Sequence, residues 1–457
     1  MVEHAIHESP PSRLVISFHG GSPARPGPAA SRSDRAEGSV RIRRNSLWGD
    51  RDFRHLWVAD GLSQIGTRIS FVALPLLALT ELNASAFQVS VLVVLETAAF
   101  LVLGLPVGAW CDGWRNRPVL LIADVGRAVA LGSLPVAAAF GALTLGHLYA
   151  AVAVTGVLTV FFDVAHQTYL PRLVERAHLV EGNSKLQMNI SIAEVSGPAA
   201  GGLLVQWLTA PLAIVVDALS FVWSAAWLRS IKRTEPRRER RTDRRLISEI
   251  QEGLRFVFTH RLLRAIACSG ASVVFFQAGS VAITVTFLTV DIGLTPGEVG
   301  ALTSVGPLGA VAAALTTGAI ARRIGQARLV RMAIIGIGAG MLLVPLTGPG
   351  RHLTWFAVGG LISGFSLVAL NIAEVSSRQA LCPDHMMSRM NATIRFMFRA
   401  TAPFGALLGG VSATQLGMRP TLWITGAGVL LSSAWLLSSP LGQVRDLPLD
   451  QASPARP

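Results

Sequence analysis

The chain is built from continuously apolar runs of about 20 residues that are separated by short polar segments. A helix of about 20 residues spans roughly 30 Å of hydrocarbon, whereas a membrane-spanning strand would be shorter and would alternate apolar with polar residues. With 51% hydrophobic and only 15% charged residues, the composition also favours the bilayer as the solvent. We therefore predict an all-α membrane protein with twelve transmembrane helices. They are predicted near residues 54–80, 86–110, 118–141, 147–165, 185–208, 211–229, 262–289, 297–321, 327–347, 353–376, 392–415 and 419–440.

The twelve predicted helices fall into two sets of six, because two sequence landmarks recur at nearly the same distance. GAWCDGWRNR begins at Gly108 and its counterpart GAIARRIGQAR begins at Gly318, while QTYLP begins at Gln167 and QALCP at Gln379. Two independent landmarks with one period indicate two six-helix pseudo-repeats. The predicted domains are a disordered cytoplasmic tail at 1–50, a first bundle at 51–229, a basic linker with an amphipathic surface helix at 230–261, a second bundle at 262–440 and a cytoplasmic tail at 441–457.

The distribution of positive charge predicts the orientation in the membrane. A net charge of +13 would suggest nucleic-acid binding in a soluble chain. Here the arginines are concentrated in the N-terminal tail and in alternate connections, and the remaining connections hold only Arg351 and Arg419. Because positive residues accumulate on the cytoplasmic side, we predict a multi-pass protein of the cell membrane with both termini in the cytoplasm and no nucleic-acid partner.

Residue patterns typical of cofactor chemistry are missing from the sequence. The three cysteines are far apart, no two histidines within the predicted spans form a metal-ligand pair at helical spacing, and no phosphate-binding GxxxxGK loop occurs. We expect no metal, no cofactor and no enzymatic activity. Any energy for transport would then come from an ion gradient or from the gradient of the substrate.

The turn between the second and third predicted helices resembles a motif of the major facilitator superfamily, G-x-L-A-D-R-x-G-R-R. Gly108, Asp112 and Arg117 match this motif, and Gly318 and Arg323 match it in the second copy. In that copy an arginine replaces the aspartate, so the resemblance there is weaker.

The fifth predicted helix carries SGPAAGG, which resembles the core of the antiporter motif of the same superfamily. Its key positions are Gly197, Pro198, Gly201 and Gly202. Proline removes a backbone hydrogen bond, and small residues let helices approach closely, so this stretch predicts a kink or a close helix contact. Together with LWVADGLSQIGTRIS in the first helix, these motifs make the chain most similar to the drug and siderophore exporter branch.

The resemblance implies a secondary active transporter in which two bundles rock about a central cavity. It would export an amphipathic small molecule, such as a drug, a siderophore or a secondary metabolite, by proton antiport with alternating access. Protons and membrane lipids are its other expected partners, and it would function as a monomer. An uptake permease or a lysolipid flippase of the same fold, or a nontransporting membrane scaffold, remain alternatives.

Ionisable residues inside the predicted spans are the candidates for proton coupling, because a charge there costs on the order of 3 kcal/mol. Glu194 and Glu96 are competing proton carriers, and Arg68 is the natural cationic partner for either one. Asp217 is a further candidate toward the end of the sixth helix.

A second group of ionisable residues suggests a structural pair and a gate. Asp124 and Arg127 are three residues apart and can pair on one helical face. Asp112 is expected to accept hydrogen bonds at the start of the eleventh helix, whose first turn is expected to hold Arg395 and Arg399. The resemblance implies that this contact latches the two halves. Asp163 and Glu374 occupy similar places in the two repeats and are expected at the inward gate.

The candidate contacts for the substrate are Phe71, Phe100, Phe275, Phe276 and Phe287.

Overall fold

The computed structural model describes residues 47–112, 114–175, 178–233, 235, 246–381 and 387–438. Within these ranges all regular structure is helical. Nearly all of the two predicted tails lies outside the described residues. The α-helices are α1 (Arg51–Thr80), α2 (Ala86–Asp112), α3 (Asn116–Ala139), α4 (Leu145–Leu173), α5 (Leu179–Trp207), α6 (Ala210–Arg229), α7 (Leu246–Thr259), α8 (Arg261–Thr286), α9 (Pro296–Thr303), α10 (Val305–Ile324), α11 (Gln326–Leu343), α12 (Leu353–Leu381), α13 (Met387–Leu416), α14 (Met418–Ser432) and α15 (Ala434–Leu437).

Nine segments of the described chain are long and apolar enough to cross a membrane. They comprise α1, α2, α3, α4, α6, α8 with the π-helical turn Phe287–Asp291, the pair α9 and α10, α11, and α12. Three other helices occupy positions where the sequence predicts spans. Of these, α5 and α13 carry several charged side chains along their length, and α14 has only 15 residues. An all-α membrane fold is confirmed, while the count of twelve spans stays a prediction.

The helices of the two halves pair in the same order. In the first half α1 packs on α5 and α6, α3 packs on α4 and α6, and α2 packs on α4. In the second half α8 packs on α13 and α14, α11 packs on α12 and α14, and α10 packs on α12. Each helix thus has a counterpart six spans later, as a duplicated bundle requires.

Among the described residues, an apolar cluster that contains side chains of both halves lies at one end of the bundle. We call the end where α1 begins the proximal end and the end where α1 finishes the distal end. One hydrophobic cluster combines Leu76 and Leu77 of α1 with Phe287, Val299 and Leu422 of the second half. Two further clusters each belong to a single half, one at the beginning of α1 and α3 and one along α11 and α12. The halves are therefore held together at the distal end.

The amphipathic helix of the linker packs against protein on one face. Helix α7 contacts α13 and α8, and Val257 is fully buried beside Leu263, Met390 and Ile394. The side chain of His260 then accepts a hydrogen bond from the backbone N–H of Leu263 and caps α8. We expected this helix to lie along the membrane surface, and the structure shows that part of it is docked on the second half.

Candidate functional site

A cavity of about 330 Å³ lies between the two halves and is lined by α2, α4, α8 and α13. We call it the central cavity. Glu96 and Asp163 supply two carboxylates, Arg399 supplies a guanidinium group, and Phe100 and Phe398 supply aromatic rings. This lining combines apolar surface with a few charged groups, which is typical of sites for small amphipathic molecules.

A smaller cavity of about 80 Å³, the inner cavity, adjoins the central cavity and is lined mainly by helices of the first half, with Val281, Ala282 and Val285 of α8 on one side. Asp217, Ser70 and Phe71 line it, and so does Thr155, whose buried hydroxyl has no hydrogen-bond partner among the described residues. A polar pocket of this size can hold water that satisfies such a hydroxyl group.

Glu96 is the charged residue that the two cavities share. Its side chain lines both cavities and makes no hydrogen bond with the described residues. Gly156 lets α4 approach the backbone of α2 closely at this point. A Cβ atom at residue 156 would lie only 3.2 Å from the carbonyl oxygen of Glu96. The carboxyl group of Glu96 is therefore available to water and to a ligand.

Arg68 and Glu194 form an ion pair beside these cavities, with 2.9 Å between Nη2 and Oε1. Each side chain is 35% exposed. The pair links α1 to α5, and a Cβ atom at Gly197 would collide with the Cβ atom of Arg68. Glu194, which we expected as a proton carrier, is thus held by a cation.

The glycines of the antiporter-like motif form two close helix contacts. Gly201 packs on the backbone of Ile69 in α1, and a Cβ atom at Gly202 would lie 2.9 Å from the Cα atom of Gly300 in α9. Close by, the backbone N–H of Ala199 donates to Oγ of Ser304 at 3.0 Å. Pro198 lies within α5, and its carbonyl oxygen faces Gly300. The motif therefore seals the distal contact between the halves.

Asp124 and Arg127 form the hydrogen-bonded ion pair that their spacing predicts, and both are buried. The guanidinium group of Arg127 lies between the rings of Phe162 and Phe221, with 4.2 Å to each ring centroid. The hydroxyl group of Ser224 donates to Asp124 at 2.7 Å. This arrangement pairs the two opposite charges inside the first half.

Asp217 is also buried and hydrogen-bonded. Its carboxylate accepts hydrogen bonds from the hydroxyl groups of Ser70 and Ser220. It lines the inner cavity, so it has contact with any water there.

The predicted gate differs from the structure in two respects. Helix α13 begins at Met387, so Arg395 and Arg399 lie more than two turns inside the helix and not in its first turn. The guanidinium group of Arg399 lies 4.4 Å from the ring centroid of Phe100. The surroundings of Gly108 and of the Asp112 side chain lie outside what the structure describes. In the second copy, Gly318 and Arg323 lie in the last two turns of α10, and Arg323 is exposed.

Arg117 acts within the first half. Its Nε donates to the carbonyl oxygen of Leu228 at 3.0 Å, and its Nη2 donates to the carbonyl oxygen of Arg229. These bonds tie the start of α3 to the end of α6. They join elements of one half, unlike the expected latch between the halves.

Glu235 is a structural residue that the sequence analysis missed. Its carboxylate accepts hydrogen bonds from the backbone N–H groups of Asn116 (2.6 Å) and Arg117 (3.0 Å), and it pairs with Arg172 of α4 at 3.4 Å. One buried carboxylate therefore caps α3 and binds the start of the linker to the first half. The available signal was a lone acidic residue at the beginning of a basic run.

The five candidate phenylalanines occupy different places. Phe71 lines the inner cavity and Phe100 lines the central cavity. Phe275 and Phe276 lie edge to face in α8, with 5.1 Å between the ring centroids, and Phe276 packs on Gly428. Phe287 is fully buried in the distal core. The last three rings line neither of the two cavities, which differs from the expected position.

Comparison with known proteins identifies the family to which this chain belongs. A family model described as transmembrane secretion effector matches residues 48–455. The multidrug efflux pump Tap of Mycolicibacterium fortuitum is 27% identical over 379 residues, which cover 80% of this chain and 90% of that protein. The enterobactin exporter EntS of Salmonella typhi is 24% identical over 407 residues, which cover 86% of this chain and 93% of that protein.

Solved structures share the fold at lower identity. A single-residue variant of the nucleoside transporter NupG superposes with a TM-score of 0.72 at 12% identity, covering 84% of this chain and 99% of NupG. A bacterial homologue of the iron transporter ferroportin in an inward-facing state gives a TM-score of 0.68 at 17% identity, covering 86% and 98% of the two chains.

Proposed function

Because the chain belongs to the transmembrane secretion effector family of the major facilitator superfamily, we propose that it exports an amphipathic small molecule in exchange for protons. Membership of the superfamily confirms the prediction of a multi-pass membrane transporter and not an enzyme. The proposed substrate is a drug, a siderophore or a secondary metabolite. We further propose the cell membrane as its location, both termini in the cytoplasm, and a monomer as the active unit.

The central cavity is the observation that carries this proposal. It lies between the halves, has aromatic and aliphatic walls, and contains the carboxylates of Glu96 and Asp163. Such a cavity suits a molecule with an apolar body and a polar group. Export is the favoured direction because relatives that cover most of the chain are named as an efflux pump and as an exporter.

Alternating access is supported by the way the halves meet. Among the described residues they share an apolar cluster at the distal end, and the clusters at the beginning of α1 and along α11 and α12 each belong to one half. With the proximal end in the cytoplasm, this arrangement corresponds to an inward-facing state that accepts substrate from the cell. Rocking of the halves would then part the glycine contact between α5 and α9 and expose the central cavity to the outside.

We propose Glu96 as the proton carrier in preference to Glu194. Glu96 reaches both cavities and makes no hydrogen bond with the described residues, so its carboxyl group can exchange a proton with water or respond to a substrate. Glu194 is bound to Arg68, and protonating it would break that ion pair. Asp217 is a second proton-binding position on the inner cavity.

The test uses sealed vesicles that contain the purified protein and an internal pH indicator. A pH gradient is imposed, and macrolides, siderophores and cationic dyes are added in turn. We expect a substrate to trigger proton movement with the wild type and with Glu194→Gln, and to fail to do so with Glu96→Gln. Glu194→Gln is the matched control, because it makes the same chemical change on another helix of the first half.

Two outcomes would contradict the proposal. If Glu194→Gln alone loses proton movement, the carrier is Glu194. If the wild type carries a solute across the membrane without moving protons, the protein is a facilitator and antiport is wrong.

A further inference from the structure

We propose that Phe100, Asp163 and Glu96 form a site for the cationic head of an amphipathic substrate, and that the side chain of Arg399 occupies this site when no substrate is bound. This inference rests on the proposed export function and names the substrate class. It concerns binding, so it can be tested separately from proton coupling.

Arg399 reaches from the second half to an aromatic ring of the first half. Its guanidinium group comes from α13 in the second half and lies 4.4 Å from the ring centroid of Phe100 on α2 in the first half. A cation over an aromatic face is attracted by the negative face of the ring. The central cavity thus already holds a cation at one defined aromatic surface, and that cation belongs to the protein.

The carboxylates of Asp163 and Glu96 both line the central cavity. Neither Asp163 nor Glu96 makes a hydrogen bond or a close ion pair with the described residues. Arg399 is a cationic side chain in the lining of the same cavity. In a cavity with largely apolar walls, two carboxylates without a bound partner favour a cationic ligand over an anionic one.

The side chain of Arg399 can move away from the ring of Phe100. Its side chain is exposed, and long arginine side chains keep their charged end in water with little constraint. A substrate cation that takes its place gains the face of Phe100 and the attraction of Asp163, and the displaced guanidinium group regains water. Removing this side chain also enlarges a cavity whose volume of about 330 Å³ is near the lower limit for drug-sized ligands.

The predicted ligand therefore has one ammonium, phosphonium or guanidinium group attached to an aromatic or aliphatic body. The body would contact Val160, Val274 and Ala402, which line the same cavity. An anion of the same shape should bind much more weakly, because it would meet both carboxylates.

The experiment measures equilibrium binding to the purified full-length protein in lipid nanodiscs. The probe is tetraphenylphosphonium, and tetraphenylborate is the anion of the same shape. We expect Asp163→Asn to weaken binding of tetraphenylphosphonium about tenfold, and Arg399→Gln to strengthen it about fivefold, since the internal competitor is gone. Arg399→Lys should behave as the wild type, because the charge is kept.

Arg395→Gln is the matched control. Arg395 lies one turn earlier on α13, is also exposed and does not line the central cavity, so its removal reports the loss of a nearby positive charge without the removal of a side chain from the cavity. We expect it to change binding less than about twofold, because its exposed charge is screened by water and ions and lies outside the cavity lining. Phe100→Leu tests the aromatic face independently and should weaken binding. Each variant is first checked for a wild-type elution profile.

The inference is wrong if Asp163→Asn binds tetraphenylphosphonium as the wild type does, if Arg399→Gln binds it more weakly, or if tetraphenylborate competes equally well. Failure of the proposed function has a different signature. In that case the binding results are as expected, but tetraphenylphosphonium triggers no proton movement in sealed vesicles.

Discussion

Buried carboxylates have distinct tasks in this protein, and Glu235 at the start of the linker has a structural one. It accepts two backbone hydrogen bonds at the start of α3 and pairs with Arg172. We expect Glu235→Gln to lower the free energy of unfolding by about 1–2 kcal/mol, because the charge at a helix N-terminus and the ion pair are both lost. A denaturant titration in detergent measures this change.

Glu298 provides the comparison for Glu235. It completes the capping box of α9 by accepting from the backbone N–H of Thr295 at 2.8 Å, but it is exposed. Glu298→Gln should therefore cost less than Glu235→Gln. Equal losses would show that burial and the contact with Arg172 add nothing to the cap.

The pair of Asp124 and Arg127 leads to a second prediction. Asp124→Asn would leave the guanidinium group of Arg127 buried between two rings without a countercharge. Breaking a buried pair in this way costs about 3–5 kcal/mol. We expect a large loss of stability, measured by the same titration, and a stability close to that of the wild type for Asp217→Asn. The amide oxygen of that variant can still accept from one of Ser70 and Ser220, and its NH2 group can donate to the hydroxyl oxygen of the other.

Some of these residue contacts follow from the sequence and others do not. The spacing of Asp124 and Arg127 predicts their pair, because residues three apart share a helical face. The contact of Arg399 with Phe100 joins residues on α13 and α2, and no local pattern reveals which faces of two distant helices meet. Glu235 was missed for the same reason, since its partners lie on α3 and α4.

At the scale of helices, the distal contact between α5 and α9 depends on the absence of side chains. A Cβ atom at Gly202 would lie 2.9 Å from the Cα atom of Gly300. We expect Gly202→Val to push these helices apart and to raise the population of molecules that are open at the distal end. Spin labels at Leu208 and Val290, both exposed, would report a larger fraction of long distances.

Gly146 supplies the control for this change. It lies in the first turn of α4, where a Cβ atom would have no neighbour within 4 Å, so Gly146→Val adds the same side chain without a collision. Identical distance distributions for Gly202→Val and the wild type would mean that this contact does not limit opening.

Helix ends were harder to predict than helix positions. The apolar run of the fourth span ends near residue 165, whereas α4 continues to Leu173, and α13 begins at Met387, ahead of the expected start at 392. Hydropathy marks the part of a helix inside hydrocarbon, but helices continue beyond it with polar residues. This difference explains why Arg395 and Arg399 were expected in a first turn when they lie deeper in α13.

At the scale of the whole molecule, the repeat and the charge distribution together predict the side of the membrane from which the central cavity is reached. The duplicated sequence landmarks predict two bundles, and the helices of both halves do pair in the same order. Apolar packing that joins the halves is found at the distal end. If the arginine-rich proximal end faces the cytoplasm, the central cavity is reached from inside the cell.

Labelling of single cysteines tests this access. We expect Val274→Cys, in the central cavity, to react with a membrane-impermeant maleimide in inside-out vesicles and to be protected in right-side-out vesicles. Val290→Cys, exposed at the distal end of α8, should show the opposite pattern and so fixes the orientation independently. The background must lack Cys111, Cys268 and Cys382. If both positions react from the outside only, the protein rests in the outward-facing state, and if both patterns are exchanged, the orientation deduced from the arginines is reversed.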